Sequence, residues 1–146
     1  MQKEIYLLVV GKLRDKNLAA LEDEYLKRIT LPKLKIFELK SEDDILKKCK
    51  DISPNNKCKI ILLDENGQQN SSHDFSKWLY DLIESSTEKI CLVIGPFQGF
   101  SEEFQKLKLP KISLSKMTYP HMWARIILVE QIYRAQTIYQ GHPYHY

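Results

Sequence analysis

The sequence has few of the residues and runs that mark specialised classes of protein. Among its 146 residues are three cysteines and five glycines, and no apolar run approaches the roughly 20 residues that a membrane-spanning helix needs. The cysteines, Cys49, Cys58 and Cys91, are odd in number and widely spaced, which supports neither a disulfide framework nor a CxxC site for zinc or redox chemistry. We therefore expect reduced, structural thiols and no metal.

The N-terminal segment also lacks the features of a secretory signal. Its apolar run at residues 5–10 is short and is soon followed by Lys12 and Arg14. With 43% hydrophobic and 28% charged residues and a formal net charge of +3, the composition is that of an ordinary globular protein. We expect a single domain over residues 1–146 that has no membrane partner and stays in the cytoplasm.

Three common nucleotide and nucleophile motifs are missing. No GxGxxG follows the first apolar run, no GxxxxGK[ST] occurs, and no GxSxG is present. The absences exclude a dinucleotide-binding fingerprint, a P-loop and the nucleophile elbow of an acyl-transfer serine. Any binding site in this chain must use other chemistry.

The pattern that is present alternates strands with helices. Asp15 can cap a first helix, Ser41 with Asp44 resembles a capping box, and residues 65–67 look like a turn after a buried strand. Ser101 can cap a short helix. This alternation predicts an α/β fold with a mostly parallel sheet. The predicted strands are residues 4–10, 34–39, 58–64, 90–95 and 112–114.

The C-terminal residues 118–146 predict a long helix followed by a short tail. Pro120 suits the first helical position, and Gly141 suits a left-handed stop. Two imidazoles and two phenols in the tail can stack on a base, hydrogen-bond a phosphate or move a proton. A frayed aromatic terminus explains the same residues equally well. Only two histidines of the tail could ligate a metal, which again favours no metal site.

Ligands of parallel α/β sheets bind beyond the carboxyl ends of the strands. That rule selects the loop after Leu63, the loop at residues 95–99 and the loop at residues 114–119. We expect these three loops to form a site.

Several motifs resemble one known family over the whole length of the chain. They are VIG at residues 93–95 with the following Gly99, SLSKMTYPH at 113–121, RIILVEQIYRA at 125–135 and the ending HPYH, together with VVGK and LLDENG nearer the N-terminus. In these motifs the chain resembles the YbeA-type (RlmH) family of SPOUT methyltransferases. The block from YPH to YRA and the HPYH ending are the most specific parts.

The resemblance implies a SPOUT fold with a C-terminal trefoil knot, a homodimer, and S-adenosylmethionine bound in the knot. The implied reaction is methyl transfer to N3 of a pseudouridine in 23S rRNA of the ribosome. Taken singly, Leu63 and Leu114 are equally well explained by core packing. The implied cofactor positions are Leu63, Gly95, Leu114, Ser115, Lys116, Met117, Thr118 and Tyr119.

Methyl transfer from a sulfonium requires the acceptor nitrogen, the methyl carbon and the sulfur in line. Groups that stabilise the deprotonated imide, or that accept its proton, would assist. For Arg125 and Arg134 an ion pair with Glu130 is the alternative explanation. Our catalytic candidates are His121, Arg125, His142, Tyr144 and His145, and the tail residues are expected to close the cofactor site of the other subunit.

The chain departs from the family pattern in its glycine loop. The family has GGPEG where this sequence has Gly95, Pro96, Phe97, Gln98 and Gly99, so the pocket is either reshaped or partly closed. The chain also has Tyr146 where the family tends to have a basic residue. A non-catalytic, SPOUT-like dimer that binds RNA or the ribosome is therefore the alternative, and a methyltransferase acting on a different RNA nucleotide is a second one.

Overall fold

A computed structural model describes residues 4–55 and 58–146 and shows one five-stranded sheet with helices on both sides. The strand order is β2-β1-β4-β3-β5, and every paired strand is parallel. The α/β fold predicted from the alternating pattern is confirmed. The strands are β1 Ile5–Val10, β2 Leu34–Leu39, β3 Cys58–Gln69, β4 Lys89–Ile94 and β5 Lys111–Ser113, and the helices are α1 Lys16–Arg28, α2 Asp44–Ile52, α3 Ser72–Ser85, α4 Glu102–Gln105 and α5 His121–Gln140.

The sheet has a separate apolar core on each face. Alternate residues of a strand point to opposite faces, so the uniformly buried β1 contributes to both cores. On one face the sheet packs with α1, α3 and α5, through residues such as Leu7 and Leu128. On the other face it packs with α2 and α4, through residues such as Leu8 and Ile45. The central strands β1 and β4 therefore form a rigid frame for the loops at their ends.

Three of the predicted helix caps are confirmed. The Asp15 carboxylate accepts hydrogen bonds from the backbone N–H groups of Asn17 and Leu18, at 2.8 and 3.0 Å. Ser101 caps α4 by accepting from Phe104 N–H at 3.1 Å. Gly141 ends α5 with φ at 70°, a left-handed conformation that costs a glycine little.

Two predicted helix starts are shifted. Ser41 does not cap α2, because the cap residue is Asp43 and no side-chain cap bond forms; the Ser41 hydroxyl instead contacts the Asp44 carboxylate at 3.4 Å. Pro120 is the cap of α5 and not its first residue, since its ψ of 146° is still extended. The start of α2 moves because backbone hydrogen bonds from Asp44 N–H to the Ser41 carbonyl and from Ile45 N–H to the Glu42 carbonyl, both at 3.1 Å, form a bend that the capping pattern does not encode.

The predicted turn at residues 65–67 is wrong, because β3 continues through it to Gln69. The strand bulges there: both Leu63 and Gln68 lie opposite Ile112 of β5. Gly67 makes this close approach possible, since a Cβ at this position would lie 2.6 Å from the Ile112 backbone. The bulge brings the acidic residues after Leu63 to the carboxyl edge of the sheet.

A membrane span is not found in the part of the chain that the structure describes, where every helix is too short or too polar to cross a bilayer.

Candidate functional site

A cavity of about 250 Å³ lies at the carboxyl ends of β4 and β5 and beside the bulge of β3. Small-ligand sites in proteins usually measure about 300–1,000 Å³, so this one lies just below that range. The three loops selected from the sequence meet here, as the strand-end rule predicts. Lys116 is exposed and is not part of the wall. Seven of the eight residues implied as cofactor positions line the cavity: Leu63, Gly95, Leu114, Ser115, Met117, Thr118 and Tyr119.

Gly95 sets the depth of the cavity where β4 ends. It is buried, and a Cβ at this position would lie 2.6 Å from the Phe100 ring. Only glycine therefore allows the backbone of the loop to run against that ring. The loop then turns sharply, with Gly99 N–H donating to the Pro96 carbonyl at 2.8 Å.

The residues of this loop that differ from the family pattern do not fill the cavity. Phe97 lies at the rim with 87% of its surface exposed. The base of the loop is held from outside, because the Glu42 carboxylate accepts from the Ser101 N–H at 2.8 Å and from its hydroxyl. Pro96, Phe97 and Gln98 therefore border the cavity and leave it open.

Two acidic residues of the wall, Asp64 and Glu65, were missed by the sequence analysis. Asp64 accepts from Asn66 N–H at 2.8 Å and lies 3.8 Å from the Lys111 ammonium. Glu65 accepts from the Thr118 hydroxyl at 2.5 Å and so joins two of the three loops. Their position directly after a buried apolar run at the carboxyl end of a strand was the signal that could have found them.

His121 is the one catalytic candidate that lines the cavity. It is the first residue of α5, and its Nε2 lies 2.8 Å from the Gly95 carbonyl oxygen. A neutral ring that makes this bond carries its proton on Nε2, which leaves Nδ1 as the acceptor. The ring also packs near Gly11, in the loop that follows β1. His121 thus connects the end of β4, the end of β1 and the start of α5.

Arg125 lies one turn further along α5 but is buried and points away from the cavity wall. Its Nε and Nη2 donate to Glu22 of α1 at 2.7 and 2.9 Å, and its Nη1 donates to Glu38 of β2 at 2.7 Å. Burial opposes the guanidinium charge, but these two carboxylates raise its pKa above the ordinary value. The ion pair expected of Arg125 is therefore present, with partners other than Glu130.

Glu38 extends this network to the loop after β1. It accepts from Leu13 N–H at 2.8 Å in addition to Arg125. Burial acts to raise the pKa of its carboxyl, and the bonds from Leu13 and Arg125 outweigh that effect and lower it. The network fixes the first turns of α5, and with them His121, relative to α1 and β2.

The C-terminal tail folds back along the middle of α5 and does not reach the cavity of its own chain. Tyr144 packs edge-on against Tyr133, with ring centroids 4.7 Å apart, and its hydroxyl lies 3.4 Å from a Glu130 oxygen. His145 Nδ1 lies 2.8 Å from Arg134 Nη1. His142 is exposed. The structure therefore separates His142, Tyr144 and His145 from His121.

The predicted pair between Arg134 and Glu130 is confirmed at 3.0 Å, one helical turn apart. The hydrogen bond that Arg134 donates to the Glu130 carboxylate raises the pKa of Arg134 above its ordinary value. The Arg134 guanidinium also covers the Tyr144 ring at 4.9 Å. Arg134 thus joins the tail to the helix in this chain.

The cavity wall combines apolar and acidic side chains. Leu63, Ile94 and Leu114 provide apolar surface for a flat ring, and Asp64 and Glu65 provide carboxylates for hydroxyl or ammonium groups. A second cavity of about 230 Å³ adjoins it, sharing Leu114 and Tyr119.

The fold and this site define an α/β protein with a cavity at the carboxyl edge of its parallel sheet. Residues 3–145 match the model of a family described as "Predicted SPOUT methyltransferase". The chain therefore belongs to the SPOUT methyltransferase family, which confirms the resemblance seen in the sequence.

Similar proteins cover nearly the whole chain. A protein named "Ribosomal RNA large subunit methyltransferase H" from Dictyoglomus thermophilum is 39% identical over 97% of this chain and 99% of its own length. One with the same name from Clostridium novyi is 39% identical over 97% of this chain and 98% of its own.

A solved structure is also similar in fold. It is titled "The structure of a probable methylase family protein from Haemophilus influenzae Rd KW20" and is 13% identical with a TM-score of 0.52. The likeness covers 96% of this chain and 67% of that one. At this identity it supports the arrangement of strands and helices alone.

Proposed function

We propose that this chain is an S-adenosylmethionine-dependent methyltransferase that modifies N3 of a pseudouridine in 23S rRNA, acting on ribosomes in the cytoplasm. The observation that carries the proposal is the meeting of three separate loops at one cavity, in a chain whose relatives are named for methylation of large-subunit ribosomal RNA. The proposal includes a trefoil knot formed by the C-terminal part of a single domain, residues 1–146.

The cofactor would be held mainly by backbone and apolar groups. Leu63 and Leu114 would cover the two sides of the adenine ring, while the backbone of residues 115–119 and Gly95 would hydrogen-bond its edges. Glu65, already oriented by Thr118, would accept from ribose hydroxyls. Lys116 is exposed and would act at the rim, on phosphate or the partner subunit. When bound, S-adenosylmethionine supplies an electrophilic methyl group on a positively charged sulfur.

His121 is the proton acceptor that we favour on this subunit. Its Nε2 is used by the Gly95 carbonyl, so its Nδ1 is available to take the imide proton. Loss of that proton makes N3 a stronger nucleophile for the in-line displacement. The pseudouridine that accepts the methyl group would lie in the second cavity, beside Tyr119. Arg125 acts here as a positioning residue, since its three bonds to Glu22 and Glu38 hold the start of α5.

We propose a homodimer in which the tail of each subunit completes the site of the other. Within one chain the tail packs beside Glu130, nine residues beyond His121, and a helix advances about 1.5 Å per residue, so the two groups are more than 10 Å apart along α5. His142, Tyr144 and His145 can take part in catalysis only at a neighbouring cavity. There they would contact the RNA and stabilise the imide anion.

The open cavity favours this function over a non-catalytic, RNA-binding dimer. The residues that differ from the family, Pro96, Phe97 and Gln98, lie at the rim and leave the space beside Gly95 free. A dimer that had lost its cofactor would have no need for that space.

Calorimetric titration of S-adenosylmethionine, with S-adenosylhomocysteine for comparison, tests the cofactor. We expect one molecule bound per subunit. Ribosomes whose rRNA lacks the modification would then be incubated with labelled cofactor, and the methylated nucleotide located by mass spectrometry of rRNA fragments. Failure of the folded protein to bind either compound would overturn the proposal. Methylation at a different nucleotide would change the proposed substrate and leave the proposed methyltransferase activity in place.

A further inference from the structure

The three cysteines of the chain come together in one cluster that the methyl-transfer site does not use. Cys49 lies on α2, Cys58 is the first residue of β3, and Cys91 lies in β4. Their three sulfur atoms all lie within 4.8 Å of one another. The spacing along the chain gave no sign of this, and the expectation of scattered structural thiols does not describe the arrangement.

The cluster is built by the rigid core and not by mobile loops. Cys91 pairs in register with Ile60, two residues along β3 from Cys58, so both strands present their cysteines to the face that α2 covers. Cys49 and Cys91 are buried, with 6% and 0% of their surface exposed. Cys58 is half-buried and its thiol donates to the Cys49 carbonyl at 3.2 Å. The Cys58 thiol therefore lies between the surface and the two buried thiols.

We propose that Cys49, Cys58 and Cys91 form a binding site for one thiophilic cation of the Zn²⁺ or Cu⁺ class. Three thiolates around a metal at about 2.3 Å lie roughly 3.8 Å from one another, so the sulfur atoms need to approach by no more than about 1 Å. Soft sulfur ligands select these ions over Mg²⁺ or Ca²⁺. In the described residues no histidine or carboxylate joins the cluster, so the ion keeps a position for a water or a small thiol beside Cys58.

A disulfide is the less suitable product of this geometry. It would join two sulfur atoms at about 2.05 Å and leave the third thiol unpaired in the core. A cation uses all three ligands, one from each of three elements. By bridging α2, β3 and β4 it would stabilise the folded chain, because the unfolded chain holds no such arrangement.

The site lies at the opposite end of the sheet from the cavity. Cys91 precedes Gly95 by four residues in an extended strand, a distance of about 13 Å. The ion would therefore act on stability and on the setting of β4, and not on methyl transfer directly. Its binding can be measured whether or not the chain methylates RNA.

The test uses the full chain, purified with a non-thiol reductant and freed of metal by a chelator. Zn²⁺ would be titrated against a chromophoric chelator, and Co²⁺ added separately to record its thiolate charge-transfer absorption. We expect one ion per chain, a raised melting temperature and protection of the three thiols from alkylation. Cys58→Ser, a nearly isosteric change at the half-buried position, should weaken binding at least about tenfold, since even outer-shell changes cost that much.

The double variant His142→Ala/His145→Ala is the matched control, because it removes the tail imidazoles and keeps all three cysteines. It should bind Zn²⁺ as the original chain does. The proposal is overturned if no ion binds stoichiometrically, if Cys58→Ser binds equally well, or if the histidine variant loses binding. Should Cys58→Ser fail to fold, alkylation of the original chain with and without Zn²⁺ decides the question.

Discussion

The Arg125 guanidinium binds Glu22 through two parallel hydrogen bonds, from Nε at 2.7 Å and from Nη2 at 2.9 Å, inside the protein. Removing one partner of a buried ion pair costs about 3–5 kcal/mol, because the other charge is left uncompensated. Glu38 still contacts Arg125 in a Glu22→Ala variant. We therefore expect a loss near the lower end, about 3 kcal/mol of unfolding free energy, measured by urea denaturation.

The control for this change is Glu24→Ala on the same helix. Glu24 pairs with Arg28 at 3.7 Å, and both side chains are 58% exposed. An exposed pair contributes little, so the unfolding free energy should change by less than about 1 kcal/mol. Equal losses of unfolding free energy in Glu22→Ala and Glu24→Ala would contradict a larger contribution of the buried network to stability.

The depressed pKa of Glu38 predicts a loss of stability in acid. Its folded-state pKa lies below the ordinary value of 4.5, so its carboxylate stabilises the fold above that pH, and this contribution is lost as the pH falls through the folded-state value. The difference in unfolding free energy between the original chain and Glu38→Gln should therefore shrink as the pH is lowered below 4.5. A difference that stays constant with pH would refute this assignment.

Gly95→Ala should damage the cavity by overpacking. The added methyl would lie 2.6 Å from the Phe100 ring, and overpacking of this kind costs about 1–3 kcal/mol. We expect a lower unfolding free energy and weaker binding of S-adenosylmethionine. A second change, Phe100→Leu, makes space beside residue 95, so the double variant should recover part of the binding. Binding that is unaffected in Gly95→Ala would show that the cofactor lies elsewhere.

Removal of residues 142–146 should abolish catalysis and leave the fold intact. In its own chain the tail packs along α5, where Tyr144 contacts the buried Tyr133 ring, whereas acid–base or anion-stabilising groups are typically worth about 100-fold or more in rate. Tyr144→Phe, which removes the hydroxyl that lies 3.4 Å from Glu130 and interacts with Tyr25, is the mild comparison for stability. Methyl transfer to ribosomes is the measurement.

Mixing two inactive variants tests whether the tail works in the neighbouring subunit. A His121→Asn chain has an intact tail, and a chain without residues 142–146 has an intact cavity. Mixed dimers should regain activity at one of their two sites. Activity that does not return on mixing, although mixed dimers form, would place the tail in its own subunit.

The sequence was sufficient for most of the fold because its signals are local. The buried run of β1, the Asp15 cap and the Gly141 stop each depend on a few neighbouring residues. The extension of β3 was not predictable in this way, because the bulge depends on the contact between Gly67 and Ile112 of another strand. The local sequence favoured a turn at residues 65–67, but pairing with β5 keeps this segment in the strand.

The candidate site, like the fold, was predictable where the signals are local and not where they depend on contacts between distant residues. The strand-end rule located the cavity, and the family resemblance supplied residues that line it. The partners of Arg125 were missed because Glu22 and Glu38 are 103 and 87 residues away in the chain. The cysteine cluster was missed for the same reason, since proximity across three elements leaves no trace in sequence spacing.

The position of β5 and α5 late in the chain also determines when the cavity can form during synthesis. Ribosomes build proteins from the N-terminus, so β1 to β4 are made before residues 111–121 supply the last strand, the third loop and His121. A nascent chain that has only its first four strands lacks one wall of the cavity. The cavity is therefore complete only in the nearly finished molecule, after β5 and the start of α5 have been made.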